Sequence, residues 1–300
     1  MRIGDTEIED TFAEAFRMVY ARLDITAFDQ HWLDAATRSI CGYGTSVIGC
    51  DAEVGLERML AADETLDGRV GGRVMMFGFS REKLSEAISQ RVGQCVMTCP
   101  TTAVFGATLE EGVPAVGEPA ALGSHLRFFG DGFQKSKLID GRRFWRVPVM
   151  DGEFVVEESV EIAKGIAGGN FLIQSIDQAA GLTAARRAVE AIQLLPQVIT
   201  PFPGGVVRSG SKVGSRYSKL RASTNDAYCP TLRGRTQSHI HPQANCVYEI
   251  VIDGTDEPAI AYAMRVGIEA ACGDGIPAIS AGNYGGKLGK FLFHLRQVMA

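Results

Sequence analysis

The sequence has no run of apolar residues approaching the roughly 20 that a bilayer span requires, and its start, Met1-Arg2-Ile3-Gly4-Asp5, lacks the apolar core of an export signal. A cytoplasmic protein is therefore expected. It also lacks a marked excess of either charge: 30 basic against 35 acidic side chains leave a net charge of -5, with no basic tail, which argues against steering toward nucleic acid. Neither nucleic acid nor a membrane is an expected partner. The seven cysteines (Cys41, Cys50, Cys95, Cys99, Cys229, Cys246 and Cys272) form no Cys-x-x-Cys pair and read as reduced packing residues. Cys95 and Cys99 have no second pair, and His239 and His241 have no third ligand at regular spacing, so no metal site is expected. The five histidines are too dispersed to nominate a general base, and no Ser-His-Asp set or activated cysteine can be assembled. Gly205 to Lys212 looks briefly like a phosphate loop, but the closing Gly-Lys-Ser/Thr order is missing.

What is present is a globular chain of 300 residues, 46% hydrophobic and 22% charged, long enough for two domains. An amphipathic opening from Thr11 to Tyr20 precedes a strand at Arg22 to Ala27, a helix at Asp29 to Ile40 and a β-branched strand at Thr45 to Cys50. A strand at Arg73 to Phe79, a helix capped by Ser80 and a strand at Leu126 to Phe129 close this unit. The order then repeats. A strand at Phe171 to Ile176, a helix after Asp177 and a strand at Gln197 to Phe202 lead through an irregular stretch into a second strand-helix-strand run from Cys246 to Ala281, with a last strand at Phe291 to His294. Two β-α-β-β-α-β units make this an α+β chain of two ferredoxin-like α/β sandwich lobes from an internal duplication, 1–152 and 153–300, joined by a hairpin around Asp151-Gly152. Segments 56–72, 107–124 and 232–245 read as surface loops.

One stretch carries chemistry. In Cys246-Val247-Tyr248-Glu249-Ile250-Val251-Ile252, strand alternation puts Glu249 on one face between Val247 and Val251. Without a cation beside it, desolvation would keep that carboxyl protonated, and a neutral acid can donate to an oxyanion developing on a carbonyl. A sheet-edge position or an ion pair with an unseen Arg or Lys is the plainer alternative. Glycine loops at Gly165 to Phe171, Pro203 to Gly205 and Gly282 to Gly289 allow close backbone approach. Arg208, Lys212, Arg216, Lys219 and Arg221 form a basic stripe that suits an anionic ligand tail or a solvated loop. Ser223 to Pro230 is either a turn or a set of polar groups facing a cleft.

Long blocks of this chain resemble the formylmethanofuran:tetrahydromethanopterin formyltransferase family. They include Asp10 to Phe16, Gly44 to Ile48, Gly93 to Thr98, Phe128 to Gly132, Ala167 to Phe171, Pro201 to Gly205, Ser211 to Ser215, Ala222 to Thr231, the Glu249 strand, Ala263 to Cys272 and Ile279 to Gly289. The resemblance implies two ferredoxin-like lobes, no prosthetic group, and methanofuran and tetrahydromethanopterin as cosubstrates. It implies reversible transfer of a formyl group between the methanofuran amine and N5 of the pterin within a ternary complex. It places the family's catalytic glutamate, a protonated oxyanion stabiliser, on Glu249. By the matched blocks and loop chemistry, Gly168, Gly169, Asn170, Phe171, Lys212, Ser223, Asn225, Asp226, Tyr228, Cys229 and Asn283 are the candidate cofactor-binding residues. The family occurs in methanogens and in methylotrophic bacteria, so the expected assembly is a dimer or tetramer, or a heteromer with hydrolase subunits. A mainly structural subunit scaffolding such a complex is the alternative. The stretch 232–245, with Arg233, Arg235, His239 and His241, departs from the archaeal pattern.

Overall fold

The computed structural model describes residues 1–300. Contacts divide the chain into two compact units, one of Met18–Gly165 and one of Met1–Arg17 with Ile166–Ala300. The first 17 residues thus group with the C-terminal unit, and the division after Gly165 lies beyond the hairpin at Gly152.

A two-residue strand at Arg2–Ile3 pairs with β1 (Thr6–Ile8), and β2 (Phe12–Thr26) follows. Within Met18–Gly165 there follow α1 (Gln30–Gly42), β3 (Glu53–Leu60), β4 (Gly71–Gly78), α2 (Arg81–Arg91) and β5 (Ala103–Gly106). The pairings are antiparallel in the order β3-β4-β2-β5. The hairpin of β6 (Arg142–Val149) and β7 (Gly152–Glu157) joins through a parallel pairing to β5. Alternation along β2 sends Ala21, Leu23 and Ile25 into a core with Leu33, Ile40, Leu84 and Ile88. The alternate β2 residues Arg22 and Asp24 are neutralised by paired forks, Arg22 on Glu57 at 2.8 Å and Arg73 on Asp24 at 2.7 and 2.8 Å.

The other unit repeats the order with β8 (Ile162–Ser175), α3 (Gln178–Ile192), β9 (Val198–Ile199), β10 (Cys246–Gly254), α4 (Glu257–Ala271) and β11 (Ala278–Ser280). Its order is β11-β8-β10-β9, again antiparallel, with β1 added in parallel at β11. The final strand, β12 (Phe291–His294), pairs with the start of β2. Asp177 and Asp256 cap α3 and α4 by accepting from Ala180 and Ala259, each at 2.8 Å. Both helices cover one face of the sheet, where Phe171, Ile173, Ile250, Ile252 and Ile279 meet Ala185, Val189, Ile260 and Met264.

Three expected elements differ. Thr45 to Cys50 is a turn in which the Ser46 carbonyl accepts from Gly49 and Cys50, and its β-branched residues yield to this local bonding beside glycine. The strand follows instead at Glu53–Leu60, overlapping the start of the segment 56–72 read as loop. Thr11 to Tyr20 is mostly strand, since pairing with β12 and β4 overrides its amphipathic pattern. Leu126 to Phe129 is helical, with Arg127 stacked on Phe128 and Trp145 at 4.7 and 4.6 Å, and Ala103–Gly106 closes the unit in its place.

Close packing of α4 on β8 depends on Gly169, where an added Cβ would lie 2.3 Å from Ile260 Cγ2. Gly169→Ala is expected to cost about 1–3 kcal/mol in urea unfolding. Gly42→Ala, where nothing lies within 4 Å, serves as the control and leaves stability unchanged or raised. A neutral Gly169→Ala would contradict this packing.

Candidate active site

Directly paired strand residues share a face. Glu249 on β10 stands opposite Leu172 on β8, and Leu172 stands opposite Ser280 on β11, so the three form a row on the sheet face away from α3 and α4. Two irregular segments help enclose this side. Val207 donates to the Glu249 carbonyl at 2.8 Å and accepts from its amide at 3.0 Å, which ties the 203–245 stretch to the strand. Tyr284, in the 283–289 loop, hydrogen-bonds Ser211 and senses the charge of Glu249.

The Glu249 side chain is half-buried and no ion pair or hydrogen bond reaches its carboxyl. Surrounding protein strips it of water, and this desolvation pushes its pKa from 4.5 up to about 7. Burial likewise raises the Tyr284 phenol, an effect offset in part by Ser211 and reinforced by Glu249 and Glu14. Tyr228 is raised by burial, with the Ser280 bond opposing.

The candidate residues divide by position. Tyr228 reaches the Glu249 row, its hydroxyl 2.8 Å from Ser280, which donates in turn to Glu9 at 2.6 Å. Asn170 holds Gly282 from both sides, accepting from its amide at 2.6 Å and donating to its carbonyl at 3.1 Å, and so anchors the base of the 283–289 loop. Asn283 braces the same loop by accepting from Gly285 at 3.0 Å and donating to Phe12. The amide of Gly168, at φ +95°, donates to Asp253. Lys212 and Ser223 pair in a short hairpin, where Lys212 is bound to Asp226 at 2.6 Å and lowers that carboxyl's pKa. Asn225 accepts from Cys229 through its carbonyl, while the Cys229 sulfur also lies against Thr224. Phe171 is a correction: it is fully buried in the helix-covered core and offers no surface to a ligand. Gly169 likewise packs beneath Ile260. No group of three His, Cys, Asp or Glu side chains gathers where it could hold a metal ion. A hollow of about 1080 Å³ lies in the Met18–Gly165 unit, lined by residues such as Met97, Leu126, Phe129 and Met150, and shares no residue with the Glu249 constellation.

The likeness to known proteins now has a geometry to attach to. A family model described as formylmethanofuran-tetrahydromethanopterin formyltransferase matches residues 1–149, and one described as "FTR, proximal lobe" matches residues 152–298. The chain belongs to that formyltransferase family. Its relative from Methylococcus capsulatus, of the same description, is 52% identical over the whole of both chains. A component of the formyltransferase/hydrolase complex of Methylorubrum extorquens is 46% identical, over 99% of this chain and 97% of its own. Among solved structures, the formyltransferase of Methanosarcina barkeri superposes with a TM-score of 0.91 at 46% identity, covering 99% of this chain and 100% of that one. The structure of the Methylorubrum extorquens complex with methylofuran superposes at 0.93 and 44% identity, covering 100% of this chain and 99% of that one.

Several residues around the candidate site escaped the sequence reading. Glu9, Gln174 and Ser280 join through bonds of 2.7 Å (Gln174 to Glu9) and 2.6 Å (Ser280 to Glu9), and Gln174 also accepts from the His241 amide at 2.7 Å. Glu14 was likewise missed, and Tyr284 lies in the Gly282 to Gly289 loop without having been singled out. Alternation around Ala13-Glu14-Ala15 was the available signal for Glu14, being the pattern that marked Glu249.

A carboxyl whose folded pKa exceeds its unfolded value takes up a proton on folding. Its contribution is fully present below about 4.5 and is lost as the pH rises through about 7. Glu249→Gln, which cannot ionise, is therefore expected to exceed the parent in stability at pH 8 by at most about 3 kcal/mol, from about 1.36 kcal/mol per pKa unit. Thermal melts across pH should show this advantage vanish below about 4.5; an advantage independent of pH would contradict the assignment.

Proposed function

We propose that this chain is a formyltransferase that moves a formyl group reversibly between methanofuran and N5 of tetrahydromethanopterin, both as cosubstrates, with Glu249 as its catalytic acid. The observation that carries the reading is a carboxyl without a cationic partner, raised to about 7 by desolvation, on a sheet face lined by polar loops. Family membership over the whole chain supports the substrates.

In the forward direction the pterin N5 lone pair attacks the formyl carbon, and the C=O bond opens to a tetrahedral oxyanion. Glu249, as a neutral acid, donates a hydrogen bond to that oxygen. Collapse restores the carbonyl, expels the methanofuran nitrogen and leaves the N5 proton on the departing amine. The substrate brings its own nucleophile, so the protein supplies orientation and electrostatics. A charged glutamate would repel the oxyanion, which is why the missing counter-cation matters.

The cofactor walls in this reading are Gly168, Asn170, Ser223, Asn225, Tyr228, Cys229 and Asn283, with Lys212 and Asp226 at the half-exposed rim. Residues 1–152 and 153–300 are in this reading two ferredoxin-like lobes from one duplication, supported by the equivalent strand orders and the change of family model between 149 and 152, while the compact units exchange Met1–Arg17 and divide after Gly165. We place the enzyme in the cytoplasm, and no helix is long and apolar enough to cross a membrane. Its assembly is a dimer or tetramer, or a heteromer with hydrolase subunits, as suggested by the relative that belongs to a formyltransferase/hydrolase complex. A mainly structural role within such a heteromer is the second reading. The ionisation state of Glu249 favours catalysis, because a scaffold gains nothing from an unpaired carboxyl.

With both cosubstrates supplied, Glu249→Ala is expected to lower kcat by about 100-fold or more, as for other lost oxyanion donors. Glu249→Gln keeps a donor and should fall between this variant and the parent. Near-normal turnover of the alanine variant would remove the mechanism, and no transfer by the parent chain would favour the scaffold.

A further inference from the structure

We propose that Glu14 is a positioning residue for the transfer step: its carboxylate gathers the backbone of residues 284–289 and so holds the Tyr284 ring beside Glu249. This rests on the function proposed above.

Glu14 is 1% exposed, on the first half of β2. One carboxylate oxygen accepts from the amides of Tyr284 at 2.8 Å and Gly286 at 2.9 Å. The other accepts from Leu288 and Gly289, each at 2.5 Å. Four donors and no competing acceptor call for an ionised carboxylate, the side chain with enough lone pairs to take them all. Although burial opposes the charge, the four amides outweigh it and hold the pKa below the ordinary value.

The loop brings little apolar surface to the core. From Asn283 to Leu288 every residue except Tyr284 is exposed, so the ordering imposed by Glu14 has one side chain to act through. Tyr284 packs near Phe16, with ring centroids 6.1 Å apart, and its hydroxyl bonds Ser211. Ser211 lies four residues after Val207, the residue whose backbone pairs with Glu249. Buried charge on Glu14 is thereby converted into a fixed aromatic wall at the catalytic carboxyl, and it limits the water that can reach it.

A double-mutant cycle on the full-length enzyme tests this. Glu14→Gln presents an amide group to donors, and should lower kcat about 10-fold while KM changes by less than about threefold. Tyr284→Phe should also lower kcat in the parent, yet cost less than about twofold in the Glu14→Gln background. Amide exchange at Tyr284, Gly286, Leu288 and Gly289 should accelerate in Glu14→Gln. A parent-like kcat in either single variant, losses that multiply in the double variant, or unchanged exchange would overturn the proposal. If Glu14→Gln does not fold, Gly289→Ala replaces it, because its Cβ would meet Ala15 O at 2.5 Å and Glu14 Cγ at 2.6 Å and displace the loop with the carboxylate intact. That variant should show the same kcat loss, and a normal kcat would be equally fatal. The Glu249→Ala arm reports on the transfer mechanism alone, so the two readings fail separately.

Discussion

The site depends on one carboxyl, that of Glu249, being desolvated without compensation. Three other buried carboxylates have donors gathered on them: Glu57 has Arg22, Glu157 has Arg142, and Glu14 has four backbone amides. Those arrangements give each carboxylate the donors it loses on leaving water. Glu249 has none of them, and the free energy it lacks in the charged form is what leaves it a hydrogen-bond donor near neutral pH. The cost to the fold is accepted on a face where the sheet is lined by loops rather than packed by helices.

The architecture explains how such a face can exist. Glycine and alanine positions let α3 and α4 seat closely on one side of the sheet, so hydrophobic burial is concentrated there. The opposite face is freed for polar work. It is organised by single side chains acting on backbone: Asn170 on Gly282, Glu14 on the 284–289 loop and Gln174 on His241. Each supplies partners for amides or carbonyls that an irregular segment would otherwise leave unsatisfied. The loops are thus long in sequence but pinned at specific atoms.

What the sequence made legible follows from what is local. The helices expected at Asp29 to Ile40, after Ser80 and after Asp177 appear there, each begun by a side chain that caps its own first turn, because a cap is a bond between near neighbours. The alternation that put Glu249 opposite Ile250 is also local, and the observed faces agree with it. Less legible was anything decided by partners distant in sequence. Thr45 to Cys50 has strand composition but no strand to pair with, while Ala103–Gly106 is short and gains its identity from β2. Phe171 sits in a matched block for the sake of the core, since resemblance alone does not separate packing from binding. Glu14 and its loop are about 270 residues apart, a separation that no periodicity can report.

The most direct test of the central claim is a carboxyl ¹³C NMR titration of the glutamate-labelled enzyme, with the Glu249 signal assigned by its loss in Glu249→Gln. The account predicts a midpoint near 7 for this residue. A midpoint at or below the ordinary value near 4.5 would show that the carboxyl is charged at neutral pH, and would contradict its role as a donor to the oxyanion.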